Sequence, residues 1–131
     1  MKYIFYLLVL SLGFVSCQKD ESNLPESQIE GKWIIYNQEI LGSSISGDGS
    51  YLTFSGGLNG TGTDYKASDT TTGQFTYSMD EEATQIVIVD TMSEGGNYNY
   101  TFDILQLDAE RFRFTGNTGA FGDLKIEMNK E

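Results

Sequence analysis

The chain has 131 residues, with 8 Lys plus Arg against 19 Asp plus Glu, a formal net charge of -11, 15 Gly, one Pro, one Cys and no His. That length suits one domain, and the charge argues against nucleic acid as a partner, since binding its backbone needs clustered Lys and Arg. The lack of His removes the usual general base and the commonest metal ligand, while a single Cys excludes an internal disulfide, a Cys-rich zinc site and a CxxC redox pair. What remains is a small barrel or sandwich better suited to binding than to catalysis, with no cofactor and no structured metal site expected.

The first segment differs from everything after it. Lys2 is its only charge, and Tyr3 to Val15 is mostly apolar. A membrane span needs about 20 apolar residues, so this run is too short and reads as the apolar core of a signal peptide. It ends in Phe14-Val15-Ser16-Cys17, followed at once by Gln18, Lys19, Asp20 and Glu21. This junction resembles a bacterial lipoprotein signal with Cys17 at the lipidation position, although Phe14 and Val15 depart from the usual residues there. The resemblance implies cleavage after residue 16 and a lipid anchor on Cys17. An unmodified Cys after an ordinary secretory peptide is the alternative. Two or three acyl chains would make anchoring effectively permanent, because each buried methylene contributes about 0.8 kcal/mol. The run Gln18-Lys19-Asp20-Glu21 further resembles the surface-export signal of Bacteroidota lipoproteins. It implies an outer-membrane protein facing the medium, with the periplasmic face as the alternative.

Residues 17–28 hold the only Pro and almost no apolar content, and read as a lipidated flexible tether. Residues 29–131 remain for one folded domain. No part of it sustains helical spacing; alternating runs between turn residues recur instead. The predicted strands are Trp33 to Leu41, Tyr51 to Phe54, Gly62 to Ala67, Thr72 to Met79, Gln85 to Asp90, Tyr98 to Leu107, Arg111 to Thr115 and Gly122 to Met128. Residues 42–50 read as a loop. The fold expected is all-β: a small eight-stranded antiparallel up-and-down barrel, since closure removes exposed edges. A flattened sandwich is the alternative.

Gly31-x-Trp33 at the start of the first strand, followed by these alternating strands, resembles the lipocalin-like domains of bacterial surface lipoproteins. By that resemblance Trp33 closes one end of the barrel beside an Arg from a late strand, here Arg111 or Arg113. Thr63-Asp64-Tyr65 spells a lipocalin tripeptide, but it lies too early in the chain to carry that role.

Catalytic chemistry finds little support. Most acids, among them Asp48, Asp64, Asp69, Asp80, Asp108 and Glu110, fall in predicted turns and read as solvated. A hydrolase using paired carboxylates is the least favoured reading. The function expected is that of a non-enzymatic, surface-anchored barrel holding a small apolar or amphipathic ligand, lined by Tyr36, Tyr77, Tyr98, Tyr100, Phe112 and Ile126. The alternative is a protein- or glycan-interaction module with a side-chain-filled barrel, making its contacts through the Ser-, Gly- and Asn-rich loops 42–50, 55–62 and 91–97.

Overall fold

The computed structural model describes residues 21–90, 98–119 and 122–131. The segment read from sequence as a signal peptide (1–16), the expected lipidation residue Cys17, the expected export residues Gln18, Lys19 and Asp20, and the segment 91–97 lie outside the described residues. Nine strands follow a short helix: α1 (Pro25–Ile29), β1 (Gly31–Ile40), β2 (Ser43–Ser46), β3 (Tyr51–Ser55), β4 (Asn59–Lys66), β5 (Thr71–Met79), β6 (Gln85–Asp90), β7 (Tyr98–Leu107), β8 (Arg111–Asn117) and β9 (Asp123–Lys130). All pairings are antiparallel between chain neighbours, except that β1 also pairs with β3 and β9. The β1–β9 pairing closes a barrel of eight strands, with β2 as one extra strand.

β1 makes this closure possible by carrying three partners. One edge pairs with β9 from Trp33↔Lys130 to Ile40↔Leu124. The other edge is divided. Gly31 to Ile34 pair with β3, and Asn37 to Ile40 pair with β2. A bulge between Ile35 and Asn37 marks the division. β2 corrects the expectation of a loop over 42–50. Leu41 (φ 51) and Gly42 (φ 79) form a two-residue turn with both residues left-handed, the backbone twist that tight hairpins require. Gly47 then passes so close to β1 that a Cβ there would lie 2.0 Å from the Ile35 carbonyl oxygen.

Period-two alternation fills one half of the barrel with large side chains. Trp33, Phe112, Phe114, Ile86 and Met128 are buried, packed with Phe54, Phe75, Tyr77, Met79 and Phe102. Aromatic edges meet faces here: Trp33 on Phe112 at 5.6 Å, Phe54 on Tyr77 at 5.1 Å and Phe54 on Phe112 at 5.6 Å. Glycines opposite the rings provide the space. A Cβ on Gly62 would lie 2.2 Å from the Phe75 ring, and one on Gly116 would lie 2.8 Å from Phe102.

The end where β1 begins is plugged. Residues 21–28, assigned from sequence to the flexible tether, here form a 3₁₀ turn at Glu21–Asn23 and most of α1. A five-residue helix is too short to stand alone in water; α1 persists because it is fastened. Ile29 is wholly buried. Trp33 Nε1 donates to the Ile29 carbonyl (2.7 Å) and Lys130 Nζ to the Gln28 carbonyl (3.0 Å). Just past the helix, Glu30 Oε1 accepts from the Gly56 (2.9 Å) and Gly57 (2.7 Å) amides. Tyr77 Oη donates to the Gly57 carbonyl (2.6 Å). Burial, with the Glu30 charge nearby, pushes the Tyr77 hydroxyl up to about 12.

Carboxylates tie the outer surface together. Asp48, Asp69, Asp80 and Asp108 accept hydrogen bonds within their own turns, which hold them below the usual carboxylate range. Glu127 is held low first by the Asn37 amide (2.7 Å), then by Lys125 (3.4 Å) and Arg113 (2.8 Å). A carboxylate whose folded pKa lies below its unfolded value stabilises the fold above the unfolded value, and this contribution is lost as pH falls through the folded one. Comparison with Glu127→Gln isolates it from the relief of overall acidic repulsion. In thermal melts followed by circular dichroism, the wild-type advantage over the variant should be constant from neutral pH down to about pH 5. It should shrink progressively as pH falls below the ordinary carboxylate range. An advantage that persisted unchanged at pH 3 would contradict the assignment.

Candidate functional site

At the other end of the barrel, where β1 finishes and β9 begins, the described residues leave an opening. Side chains thin out towards it and leave a cup. Its deeper part, a cavity of about 160 Å³, is walled by Leu52, Phe75, Ile88, Phe102, Phe114 and Ile126, with Asp64, Asp90 and Tyr100. Its mouth, about 370 Å³, shares Asp64, Tyr100 and Phe102 and adds Gln38, Ile40, Lys66, Thr118 and Leu124. The combination of mostly apolar walls with a few polar groups is that of small-molecule sites. The barrel is thus neither hollow nor solid: the plugged half is packed, and the open half is a cup.

Strand alternation places these groups. On β7, Tyr98, Tyr100 and Phe102 share the inner face. The Tyr98 and Tyr100 rings lie nearly parallel (6.3 Å, 5°), and Tyr100 continues to Phe102 (6.3 Å, 42°). Contacts from Phe102 to Phe114 (4.8 Å) and from Phe114 to Phe112 (5.2 Å) carry the rings on to Trp33. A continuous aromatic path therefore runs from the rim to the plug. On β4, Asp64 points inward opposite Gly73 of β5. A Cβ on Gly73 would lie 2.1 Å from Asp64 Oδ1, so the carboxylate occupies the space where a side chain would be.

The residues proposed from sequence fall into three groups. Tyr100 and Ile126 line the cup. Tyr98 stands on its rim, half exposed. Tyr77 and Phe112 point inward but lie in the packed half, 4% and 0% exposed, below any space a ligand would occupy. Tyr36 does not line the interior. Trp33 and Ile35 face in, so alternation and the bulge turn Tyr36 outward, where it is 39% exposed.

The expected partner of Trp33 is also corrected. Gly31 and Trp33 do sit at the plugged end, but the cation over the indole is Lys130, 5.1 Å from the ring. Arg111 and Arg113 alternate with Phe112 on β8 and so face outward. Arg113 Nε pairs with Glu127 Oε1 (2.8 Å), and Arg111 borders a polar recess outside the plugged end. β9 is the strand paired with β1 beside Trp33, which gives Lys130 the shorter path.

Sequence reasoning missed Gln38, Asp64, Lys66 and Asp90. Asp64 lies within the predicted strand Gly62 to Ala67, but Gly60, Gly62 and the surrounding threonines give that strand no apolar face, so the sequence groups Asp64 with the solvated turn acids. The usable signal was parity: Asp64 is two residues from Gly62, which faces Phe75. Among the described residues, no group of three or more metal-ligating acids, Cys or His comes together.

The fold and site define a closed antiparallel β-barrel with one plugged end and one open, partly aromatic cup. No protein-family model matches the chain, and neither a curated protein nor a solved structure matches it significantly.

Proposed function

We propose that the protein is a lipid-anchored, surface-exposed binding barrel that takes a small amphipathic molecule into its open cup. The observation that supports it best is the cup itself: an apolar, ring-lined recess with polar groups at two depths, in a barrel otherwise filled. Tyr100, Phe102, Leu124 and Ile126 would contact the ligand, while Tyr77, Phe112 and Trp33 support the floor. Residues 18–131, lacking the anchor residue Cys17, purified from the protein's own cells and examined by native mass spectrometry, should carry a co-purifying small molecule. Leu124→Trp fills the mouth from its wall and should reduce occupancy more than tenfold while the melting temperature stays within a few degrees. Equal occupancy in the variant, or no bound mass in any preparation, would count against the cup as a binding site.

The anchor rests on Phe14-Val15-Ser16-Cys17 and the acidic run after it. Cys17→Ser should move the protein from the membrane fraction to the soluble fraction. A variant still sedimenting with membranes would defeat that part of the proposal. A second reading comes from Asp64 and Asp90 lining one cleft, the first requirement of a hydrolase with paired acids. Release of nitrophenol from aryl glycosides, abolished in Asp64→Asn, would favour it over simple binding.

A further inference from the structure

We infer that the cup selects an organic ammonium, a cationic head carried on an apolar or aromatic body. This rests on the cup being the ligand site and adds the charge of its occupant. The charged side chains bordering the two cavities are Asp64, Asp90 and Lys66. Both acids reach the deeper part; Lys66 borders only the mouth and is exposed. Among the described residues the interior is therefore negative at depth, with one cation, Lys66, at the edge.

Asp64 carries the argument further. Its carboxylate is half-buried in the recess left by Gly73, close to Phe75 and Phe102. Among the described residues it has no hydrogen-bond or ion-pair partner. Withdrawing a carboxylate from water against apolar rings is unfavourable unless a donor or cation meets it. Among the described residues no donor or cation meets it at this depth, and a ligand's ammonium would. The rings provide the rest of the recognition. Tyr98 and Tyr100 present parallel faces beside the acids, and Phe102 continues the same wall. Aromatic faces attract cations through the ring quadrupole, more strongly as water is excluded. A carboxylate amphiphile of the same size would bring like charges together at Asp64 and meet no cation of the described residues below the rim.

Three probes of one length separate charge from shape: 4-phenylbutylamine, 4-phenylbutanol and 4-phenylbutyrate, titrated into residues 18–131 and followed by amide NMR shifts. The amine should bind at least tenfold more tightly than the alcohol, and the butyrate most weakly. Asp64→Asn should bring the amine-to-alcohol ratio below threefold, and 0.5 M salt should lower it in the wild type. Equal binding of all three probes, or an unchanged ratio in Asp64→Asn, would overturn the ammonium inference while leaving the cup as a binding site. No shift at Tyr100 or Phe102 with any probe at millimolar concentration would overturn both.

Discussion

Trp33→Ala should cost about 3–5 kcal/mol, the range for removing a large buried aromatic. For a domain of this size, total stability is only about 5–15 kcal/mol, so the variant should be largely unfolded at 37 °C or close to it. The size of the effect follows from how much meets at this one side chain. Its ring is wholly buried against Phe112 at 5.6 Å, its Nε1–H holds the end of α1 through the Ile29 carbonyl, and Lys130 lies over its face. Trp33→Phe separates these contributions. It keeps most of the apolar contact and loses the bond to Ile29, at about 1–2 kcal/mol including cavity and unpaired carbonyl. Urea denaturation followed by far-UV circular dichroism gives both values. A Trp33→Ala loss under about 1 kcal/mol would mean that the plug, and not the indole, holds this end together.

Gly62→Ala should be the next most damaging single change, at about 2–3 kcal/mol, near the top of the range for overpacking a filled core. The new Cβ would come within 2.2 Å of the Phe75 ring and 2.3 Å of the Thr53 carbonyl oxygen. Displacing the ring disturbs its contact with Phe54 at 5.4 Å. The carbonyl belongs to the paired strand β3 and cannot yield without distorting the sheet. Phe75→Leu divides the two causes. If the ring dominates, the double variant Gly62→Ala/Phe75→Leu should be at least 1 kcal/mol more stable than the sum of the single losses implies, a coupling typical of residues in contact. Strict additivity would place the whole cost on the Thr53 carbonyl.

Most barrel strands were legible because their inward positions recur at period two in large apolar residues; β4, with Gly62, Asp64 and Lys66 inward, carried the weakest pattern. Tyr98, Tyr100, Phe102 and Ile104 write one face of β7, and Leu124, Ile126 and Met128 one face of β9. β2 was not legible. Ser43-Ser44-Ile45-Ser46 buries nothing, and its strand character comes from backbone pairing to β1 after a turn that puts Leu41 in a conformation its side chain usually avoids. The same limit applies to the site. Aromatic residues on inner faces could be read, but depth along the barrel could not, so Tyr77 and Phe112 were grouped with Tyr100 although they lie beneath the cup. Asp64 was hidden for a different reason. An inward acid is intelligible only once Gly73 is seen across from it, and that pairing depends on register, not on local pattern. Lys130 likewise takes its place over Trp33 through the β1–β9 closure, a contact between the two ends of the domain.

The plug also gives the molecule a direction. The chain enters the barrel through α1, so any tension or tethering from upstream acts on the packed end. Four peptide steps separate Cys17 from Glu21, a reach of at most about 14 Å. Anchored through Cys17, the barrel would stand on its plug with the mouth turned from the bilayer. With the surface exposure proposed above, the cup would sample dissolved molecules in the medium, not lipids in the leaflet below. Its ligand traffic would be an exchange with the surroundings, leaving the membrane as a support and not a source.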